Sequence, residues 1–307
     1  MKSSVSKQLI VIGGPTAVGK SAIALRLAQH FQCEIVNADS RQVYRELQIG
    51  VNKPSKEDLE LVPHHLIGHI SIHDDYSVGR FEQDTLDILD QLFHKNDLAI
   101  LVGGTGLYIN AVLHGLDTFP AIPPDIKITV KDLMINQGLP GLQSFIQIND
   151  PEYFASMDQN NTRRLSRAME VILTTGKKFS DLRQASIKPR QFEVLKYFVD
   201  DDRTQVYQRI DQRVDLMIKQ GLKEEASSLF PFKHLKSLET VGYREWWHHF
   251  EGQCDQPTVI AKIKQHTRNY AKRQWTWWKP LQWPVINTND LDQLIVEIER
   301  KLNNPYL

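Results

Sequence analysis

The stretch GPTAVGKS at residues 14–21 constrains the fold more than any other part of this sequence. It has P-loop spacing: one glycine, four residues, then Gly-Lys-Ser. The apolar segment LIVIGG (9–14) precedes it, and SAIALRLAQHF (21–31) follows with apolar residues at helical spacing. Between a strand and a helix, the backbone N–H groups of such a loop and the helix N-terminus converge on an anion. The sequence therefore predicts a phosphate site at the end of a buried strand, although the motif does not specify the phosphate compound.

Two further segments have the pattern of buried strands, and an amphipathic helix lies between them. CEIVNADS (33–40) and DLAILVGGTGLY (97–108) supply the strands, and VGRFEQDTLDILDQLF (78–93) supplies the helix. Strands that alternate with helices indicate a parallel, doubly wound sheet with ligands at the carboxyl ends of its strands. The predicted fold class is α/β, with a kinase-like P-loop core built on a parallel sheet.

A proline-rich stretch interrupts this core. FPAIPPD (119–125) predicts a boundary, residues 126–190 have a mainly helical pattern, and FEVLKYFVD (192–200) predicts a return to the sheet. The predicted organisation has three parts: 1–120, the first part of the P-loop core; 121–191, a mainly helical insertion domain; and 192–307, the second part of the core with a helical C-terminal region.

Composition excludes several classes of protein. The 307 residues include only two cysteines, Cys33 and Cys254, which is too few for a disulfide framework and lacks CxxC spacing for zinc. No apolar run approaches the ~20 residues of a membrane helix. The N-terminal apolar stretch continues directly into the P-loop, so we interpret it as a strand and not as a signal peptide. We expect a cytoplasmic, monomeric protein with no membrane partner.

The charges are segregated although they sum to zero, with 37 Lys plus Arg and 37 Asp plus Glu. Residues 162–191 carry eight basic side chains and two acidic ones, whereas residues 74–90 carry six acids and one arginine. A neutral chain with separate positive segments can still bind a polyanion locally. Nucleic acid therefore stays among the possible partners.

The residues that follow the predicted strands indicate the chemistry. An ATPase or GTPase normally has an acid at the end of a neighbouring strand to hold Mg²⁺ and position water. Here the strand in 97–108 ends in Gly103-Gly104-Thr105-Gly106 instead. The acid that is present, Asp39, follows the strand in 33–40. It could accept a proton from a nucleophile or cap a helix at RQVYREL, and its position alone leaves both roles open.

The order and spacing of a set of motifs resemble those of tRNA dimethylallyltransferases of the bacterial type. The resemblance runs from about residue 9 to about residue 280. These motifs are GPTAVGKS, NADSRQVYRELQIGVNKP, PHHLIGHI, DYSVGRF, LVGGTGLYINAVLHGL, RRLSRAMEVILTTGK, TVGYRE and AKRQWTWWK. The family is similar in fold to small-molecule P-loop kinases. It transfers the dimethylallyl group of dimethylallyl diphosphate to N6 of the adenosine 3′-adjacent to the anticodon in tRNA and releases diphosphate.

The resemblance implies that the P-loop holds the diphosphate of the prenyl donor. Asp39 is the implied general base, Thr16 the donor to the bridging oxygen between carbon and phosphate, and Ser21 the ligand of Mg²⁺. The implied catalytic residues are Asp39, Thr16, Lys20, Arg209 and Arg213, and the last two are alternatives for the arginine that contacts the diphosphate. The implied diphosphate-binding residues are Gly14, Pro15, Thr16, Ala17, Val18, Gly19, Lys20 and Ser21.

The resemblance also implies a binding surface for the tRNA anticodon stem-loop. The basic insertion would bind backbone phosphates, and the target adenosine would be flipped out of its stack. The implied tRNA-binding residues are Asp39, Ser40, Arg41, Gln42, Thr105, Lys127, Arg163, Arg164, Leu165, Ser166, Arg167, Gly242, Tyr243, Arg244, Lys272 and Arg273. In KRQWTWWK (272–279), tryptophans at this density more often fill a core than stack on bases, so we expect at least one to be buried.

The sequence departs from the family pattern at two places. Some relatives have an arginine where this chain has Glu239, which puts a phosphate contact there in doubt. Eukaryotic relatives carry a C-terminal zinc finger, for which this sequence has no suitable cysteines. His64, His65, His69 and His73 have spacing typical of metal ligands, but the family motif PHHLI binds no transition metal. We therefore interpret these histidines as structural or substrate-adjacent.

Three other functions remain open. A P-loop kinase of a small metabolite would hold ATP on the loop and place Asp39 against a hydroxyl. An adenylate dimethylallyltransferase would prenylate free AMP by the same core chemistry, without any need of the basic insertion. An RNA-binding module with a vestigial P-loop would catalyse nothing, although Lys20, Ser21 and Asp39 are all intact.

Overall fold

The centre of the larger compact unit is a parallel sheet. The computed structural model describes residues 7–117, 119–183 and 187–303. The strands are β1 (Gln8–Gly13), β2 (Ile35–Asn37), β3 (His64–His65), β4 (Leu98–Gly103), β5 (Glu193–Val199) and β6 (Val285–Ile286). They lie in the order β3-β2-β4-β1-β5-β6, and all neighbouring pairs are parallel. The predicted α/β class with a parallel sheet is confirmed.

The central strands are apolar runs because helices cover both faces of the sheet. All residues of β1 and β4 are buried, which is the pattern of strands enclosed on both sides. The strands predicted in 9–14, 33–40, 97–108 and 192–200 are all present. The edge strands β3 and β6 were not predicted, because two residues are too short to show a periodicity.

The described residues contain thirteen α-helices. They are α1 (Lys20–Phe31), α2 (Lys56–Leu61), α3 (Val78–Phe93), α4 (Gly106–His114), α5 (Pro124–Asn149), α6 (Pro151–Ser156), α7 (Thr162–Thr175), α8 (Phe179–Leu182), α9 (Arg203–Lys219), α10 (Leu222–Leu229), α11 (Arg244–Phe250), α12 (Gln256–Trp278) and α13 (Leu291–Asn303). None of them combines the length and the apolar composition of a membrane span.

The larger unit comprises residues 1–113 and 190–307 and has two apolar clusters. One surrounds the sheet and includes Trp275 and Trp278, which are 2% and 1% exposed, so the expected burial of tryptophan is confirmed. The other lies among α9 to α12 and includes Trp246, which is fully buried. The carboxyl ends of β1, β2, β4 and β5 share one edge of the sheet, which brings the segments that follow these strands together.

The second compact unit spans His114–Pro189 and consists of α5 to α8 around its own apolar core. The predicted boundaries at 121 and 191 both come after the ends of this unit. α5 has a kink at Gly138, which has φ 63°, and Pro140 follows it inside the helix. Residues 1–6, 118, 184–186 and 304–307, which the predicted parts include, lie outside the described residues.

Candidate active site

The phosphate loop connects β1 to α1, where the sequence predicts it. Gly14 (φ 150°), Ala17 (φ 65°) and Gly19 (φ 96°) have positive φ, which turns the backbone sharply between the strand and the helix. A Cβ at Gly14 would come within 2.5 Å of the Val199 carbonyl oxygen, so only glycine fits there. No side chain caps the N-terminus of α1, whose N–H groups are therefore available to an anion.

Lys20 supplies a desolvated cation in this loop. Its ammonium group donates a hydrogen bond to the Pro15 carbonyl. Burial lowers the pKa of Lys20 to about 7, although the charge of Asp39 raises it, and Arg213 lowers it further. An ammonium group that has lost water but has gained no ion pair favours the binding of an anion. Lys20 can therefore neutralise a phosphate group held by the loop.

Of the two candidate arginines, only Arg213 lines the cavity beside the loop. Its Nη1 donates to the hydroxyl of Thr16 (3.4 Å), and among the described residues it makes no ion pair. Burial lowers its pKa. Arg209, one turn earlier on α9, is instead paired with Asp201 and donates to the Ala17 carbonyl (3.3 Å). Arg209 therefore already has an ion pair within the protein, whereas the guanidinium of Arg213 has none among the described residues.

Asp39 follows β2 and faces the same cavity as Thr16 and Arg213. Its Oδ1 accepts from the backbone N–H groups of Arg41 (2.8 Å) and Gln42 (3.3 Å). No helix forms at RQVYREL, because residues 40–46 are turns with one β-bridge residue, Tyr44. The alternative role of Asp39 as a helix cap is therefore wrong. One oxygen orders the turn, and Oδ2 makes no hydrogen bond within the described chain. A single carboxylate can thus both fix the local backbone and act on a substrate.

Several predicted RNA-binding side chains near Asp39 already have protein partners. The Ser40 N–H donates to the Thr105 hydroxyl (3.1 Å). Arg41 donates to the Ser237 carbonyl (3.1 Å). The side-chain amide of Gln42 donates to the Val51 and Asn52 carbonyls, at 3.1 and 2.8 Å. These bonds order the loop after β2 and the cavity wall at 50–52.

The cavity itself has a volume of about 270 Å³ and lies entirely within the larger unit. Its polar lining includes Thr16, Asp39 and Arg213. Its apolar lining includes four side chains of α9 and α12: Ile210, Val214, Met217 and Ile263. These four residues were not predicted as part of the site. Ile210, Val214 and Met217 are spaced i, i+4 and i+7 on α9, and that periodicity was the available signal.

Glu225 holds together two loops that line this cavity, and no motif indicated it. Its carboxylate accepts from the backbone N–H groups of Ile49 (2.9 Å) and Gly50 (3.2 Å) and from the hydroxyl of Tyr243. Tyr243 is fully buried, so its side chain is not available to RNA as predicted. Its ring packs against Gly50, where a Cβ would come within 2.5 Å. Gly50 and Gly242 both line the cavity, and Glu225 holds the two segments that contain them together.

The turn before α11 is held by a buried carboxylate. Glu245 accepts from the Gly242 N–H (2.9 Å), from Arg244 Nε (3.1 Å) and from His266 Nδ1 (2.6 Å). Arg244 is still 45% exposed. Arg244 and Glu239 both line the cavity, so a carboxylate takes the position where some relatives have an arginine.

In KRQWTWWK the residues predicted to contact RNA lie on the exposed face of α12, and the core residues lie on its buried face. Lys272 and Arg273 are exposed, and Arg273 also lines the cavity over the ring of Tyr270. Burial raises the pKa of Tyr270 to about 12. Trp277 remains 38% exposed, unlike the two buried tryptophans of the same stretch.

In the second unit the predicted RNA-binding residues are mostly exposed. Lys127, Arg163, Arg164 and Arg167 are all exposed, and Ser166 is half-buried. Leu165 is fully buried in the core of this unit and offers no side chain to RNA. The helix α7 therefore has a buried apolar face and an exposed basic face. On the basic face Arg167 pairs with Glu170 (3.3 Å) and lies over the ring of Phe119.

The candidate metal ligand of the phosphate loop is the hydroxyl of Ser21. The described residues contain no group of three or more His, Cys, Asp or Glu side chains that could hold a metal ion. Ser21 has an exposed side chain in the first turn of α1, next to Lys20. A hydroxyl is a suitable ligand for Mg²⁺, which usually keeps several waters and shares phosphate oxygens with its substrate. The residues present fit Mg²⁺ bound together with a diphosphate.

Comparison with known proteins agrees with this geometry. The model of the IPP transferase family matches residues 42–280. A tRNA dimethylallyltransferase of Christiangramia forsetii is 43% identical over 97% of this chain and 100% of its own length. That of Flavobacterium johnsoniae is 42% identical over 89% of this chain and 90% of its own.

Two solved structures extend the similarity to the whole fold. The tRNA isopentenylpyrophosphate transferase of Bacillus halodurans superposes with a TM-score of 0.71 at 30% identity, over 97% of each chain. A eukaryotic dimethylallyltransferase acting on tRNA superposes with a TM-score of 0.77 at 28% identity, over 89% of this chain and 70% of its own. The resemblance seen in the motifs is confirmed, and with it the transferase class: the chain belongs to the IPP transferase family.

Proposed function

We propose that this protein transfers the dimethylallyl group of dimethylallyl diphosphate to N6 of the adenosine 3′-adjacent to the anticodon in tRNA. The observation that carries the proposal is the cavity beside the phosphate loop. Its lining includes the desolvated guanidinium of Arg213, a carboxylate oxygen of Asp39 without a hydrogen bond and apolar side chains, and the loop beside it carries the desolvated ammonium group of Lys20. In dimethylallyl diphosphate, the diphosphate group would contact the cations and the dimethylallyl group would contact the apolar side chains. The names of the relatives, tRNA dimethylallyltransferases, support the same reaction.

The reaction forms a bond between N6 of adenine and the allylic carbon and breaks the bond between that carbon and the bridging oxygen. Oδ2 of Asp39 accepts the proton that N6 loses. The exocyclic amine is a poor nucleophile, so holding it in line with the allylic carbon contributes much of the rate. The Oδ1 bonds to the turn at 41–42 keep the carboxylate in one orientation for this task.

The departing diphosphate takes the electron pair of the broken bond, and the loop stabilises the charge that results. Lys20 and Arg213 neutralise the phosphate oxygens, and the free N–H groups of α1 bind them. The hydroxyl of Thr16 accepts from Arg213 and can donate its proton to the bridging oxygen. Arg209 supports the loop through the Ala17 carbonyl and does not contact the substrate.

Mg²⁺ is the proposed cofactor, and Ser21 is the residue that would bind it. When bound, the ion supplies further positive charge to the diphosphate oxygens.

The second unit supplies the proposed surface for the anticodon stem-loop. Exposed arginines and lysines bind backbone phosphates without selecting sequence, and the target base must leave its stack to reach a closed pocket. This need for RNA separates the proposed enzyme from an adenylate dimethylallyltransferase. We also propose that the enzyme is cytoplasmic, because unmodified tRNA is available in that compartment, and that it is a monomer.

The test is a transfer assay with labelled dimethylallyl diphosphate, Mg²⁺ and one of two acceptors, unmodified tRNA or free AMP. We expect label on unmodified tRNA and none on free AMP. Label on AMP alone would indicate the free-nucleotide enzyme instead. A parallel reaction with labelled ATP should give no product, and phosphate transfer there would favour a kinase. Asp39→Ala should reduce turnover by at least about a hundredfold while tRNA still binds. Unchanged turnover would show that Asp39 is not the base.

A further inference from the structure

A buried side-chain amide connects the phosphate loop to the glycine-rich loop after β4. Gln274 lies on α12 and is 6% exposed. Its Oε1 accepts from the backbone N–H of Thr16 (2.9 Å), and its Nε2 donates to the carbonyl oxygen of Gly104 (2.9 Å). An N–H group requires an oxygen partner and a carbonyl requires a donor, so these two neighbours define the orientation of the amide.

The absence of a side chain at residue 104 leaves room for this contact. A Cβ at Gly104 would come within 2.3 Å of the Gln274 Nε2 atom, so any larger residue would displace the amide from its present position. The short approach between α12 and the loop after β4 therefore depends on glycine.

The bond at Thr16 has a consequence for the phosphate loop. The N–H of Thr16 points to Gln274, so it is not one of the amides that face an anion. The backbone at Thr16 is instead held in one position, from which its hydroxyl meets Arg213 (3.4 Å). That hydroxyl is the group that faces the bridging oxygen in the proposed reaction.

The bond at Gly104 continues toward the base. The next residue, Thr105, accepts from the Ser40 N–H (3.1 Å), and Ser40 directly follows Asp39. One buried amide thus holds the group that acts on the leaving oxygen and, through two loops, the group that accepts the proton.

We propose that Gln274 is a positioning residue for the transfer step. It acts through Thr16, which it holds against the bridging oxygen as the carbon–oxygen bond breaks, and it does not touch the substrates itself. The inference rests on the function proposed above. It assigns to the RQW stretch of α12 an inward role that is separate from RNA contact by its exposed neighbours Lys272 and Arg273.

The experiment is a double-mutant cycle with Gln274→Met and Thr16→Val. The kcat and KM values are measured by steady-state transfer to tRNA, and the rate of the transfer step by single turnover. Gln274→Met keeps the volume and removes both polar groups. We expect it to lower kcat by about ten- to hundredfold, with the KM values for both substrates within about threefold of the wild type. The double variant should be no slower than Thr16→Val alone, because both changes disable the same group. Multiplied losses would overturn the proposal.

Gln274→Glu is the second variant, and it is compared with Gln274→Met at a temperature where both proteins are folded. Glutamate keeps an oxygen for the Thr16 N–H but buries a charge opposite the Gly104 carbonyl. A purely structural role would make Gln274→Glu worse than Gln274→Met in both thermal stability and kcat. Positioning of Thr16 predicts opposite orders: Gln274→Glu should have the lower melting temperature and the higher kcat. The same order in both measurements would overturn the proposal.

Gln265→Met is the matched control, since Gln265 is exposed on the same helix and has no role in the site. It should behave like the wild type. Absence of transfer by both the wild type and this control would contradict the proposed function itself. Transfer by both, with additive losses at Thr16 and Gln274, would contradict only the positioning role.

Discussion

The basic residues of the two compact units differ in the surroundings of their charges. Lys20 and Arg213 in the larger unit are desolvated, and burial lowers the pKa of each. Arg163 and Arg164 in the second unit project from α7 into solvent. Desolvated cations without ion pairs bind one anion in one geometry and are screened little by salt. Exposed cations bind any nearby phosphate and are screened strongly, so the same charge serves catalysis in one unit and affinity in the other.

The largest effect should separate the two arginines of α9. Arg213→Gln removes a free guanidinium from the diphosphate end of the cavity, so kcat/KM for prenyl transfer should fall by about a thousandfold. Arg209→Gln is the matched control, because Arg209 is already paired with Asp201. It should lose about tenfold or less through disturbance of the loop. Equal losses in a steady-state transfer assay would show that the pairing seen here does not decide which arginine binds the diphosphate.

Charge reversal on α7 should affect RNA affinity alone. Arg163→Glu with Arg164→Glu should raise the apparent KM for tRNA by about ten- to hundredfold and reduce the salt slope of binding by about two. The KM for dimethylallyl diphosphate should not change. Arg300→Glu, on the exposed face of α13, controls for the effect of a charge reversal outside α7. A normal salt slope in the double variant would show that α7 does not bind the tRNA backbone.

The titration of Lys20 gives a smaller effect with a definite sign. In the free protein its pKa is about 7, and a bound diphosphate must raise it. Below pH 7 Lys20 is already protonated and adds no pH dependence. Above pH 7 binding must take up a proton, so affinity should fall by up to about tenfold per pH unit.

Calorimetry with inorganic diphosphate in buffers of different ionisation enthalpy measures that proton. The relevant quantity is the difference between the wild type and Lys20→Met, because diphosphate itself titrates in this range. An identical proton uptake in both proteins would contradict a titrating Lys20.

The smallest effect on activity is expected from the interior of the second unit. Asp150 is fully buried and accepts from the Ser180 N–H (2.7 Å), the Ser180 hydroxyl (2.8 Å) and the Tyr153 N–H (3.1 Å). Asp150→Asn puts an amide donor against these donors and should lower the free energy of unfolding by about 1–3 kcal/mol. Activity at low temperature should change by less than about threefold.

Asp132→Asn, on the exposed surface of α5, is the matched control and should leave thermal stability unchanged. Loss of tRNA binding by Asp150→Asn at a temperature where the protein is folded would show that the basic face depends on this carboxylate.

Much of the fold and part of the site could be predicted because their signals are local. The loop at 14–21 lies between a strand and a helix, and α3 has the predicted bounds. The turn after Asp39 could not be predicted, because its residues are compatible with a helix and only the Asp39 carboxylate and the contacts of Arg41 and Gln42 select turns. Leu165 and Tyr243 fall in family motifs for RNA contact, yet their side chains are buried. A motif identifies a segment and does not tell which of its faces points inward.

The sequence by itself determined the phosphate loop, the alternation of strands and helices and the family. The loop and the alternation depend on residues close together in the chain, where backbone sterics and periodicity act. The family depends on the resemblance of motifs in their order along the chain. The tertiary structure alone decided that Arg213 and not Arg209 is free, and that Gln274 and Glu225 hold the loops of the cavity. Arg213 meets a loop 197 residues before it, and Gln274 one 258 residues before it. Contacts over such separations exist only after the sheet, its helices and the cores between them have packed in register.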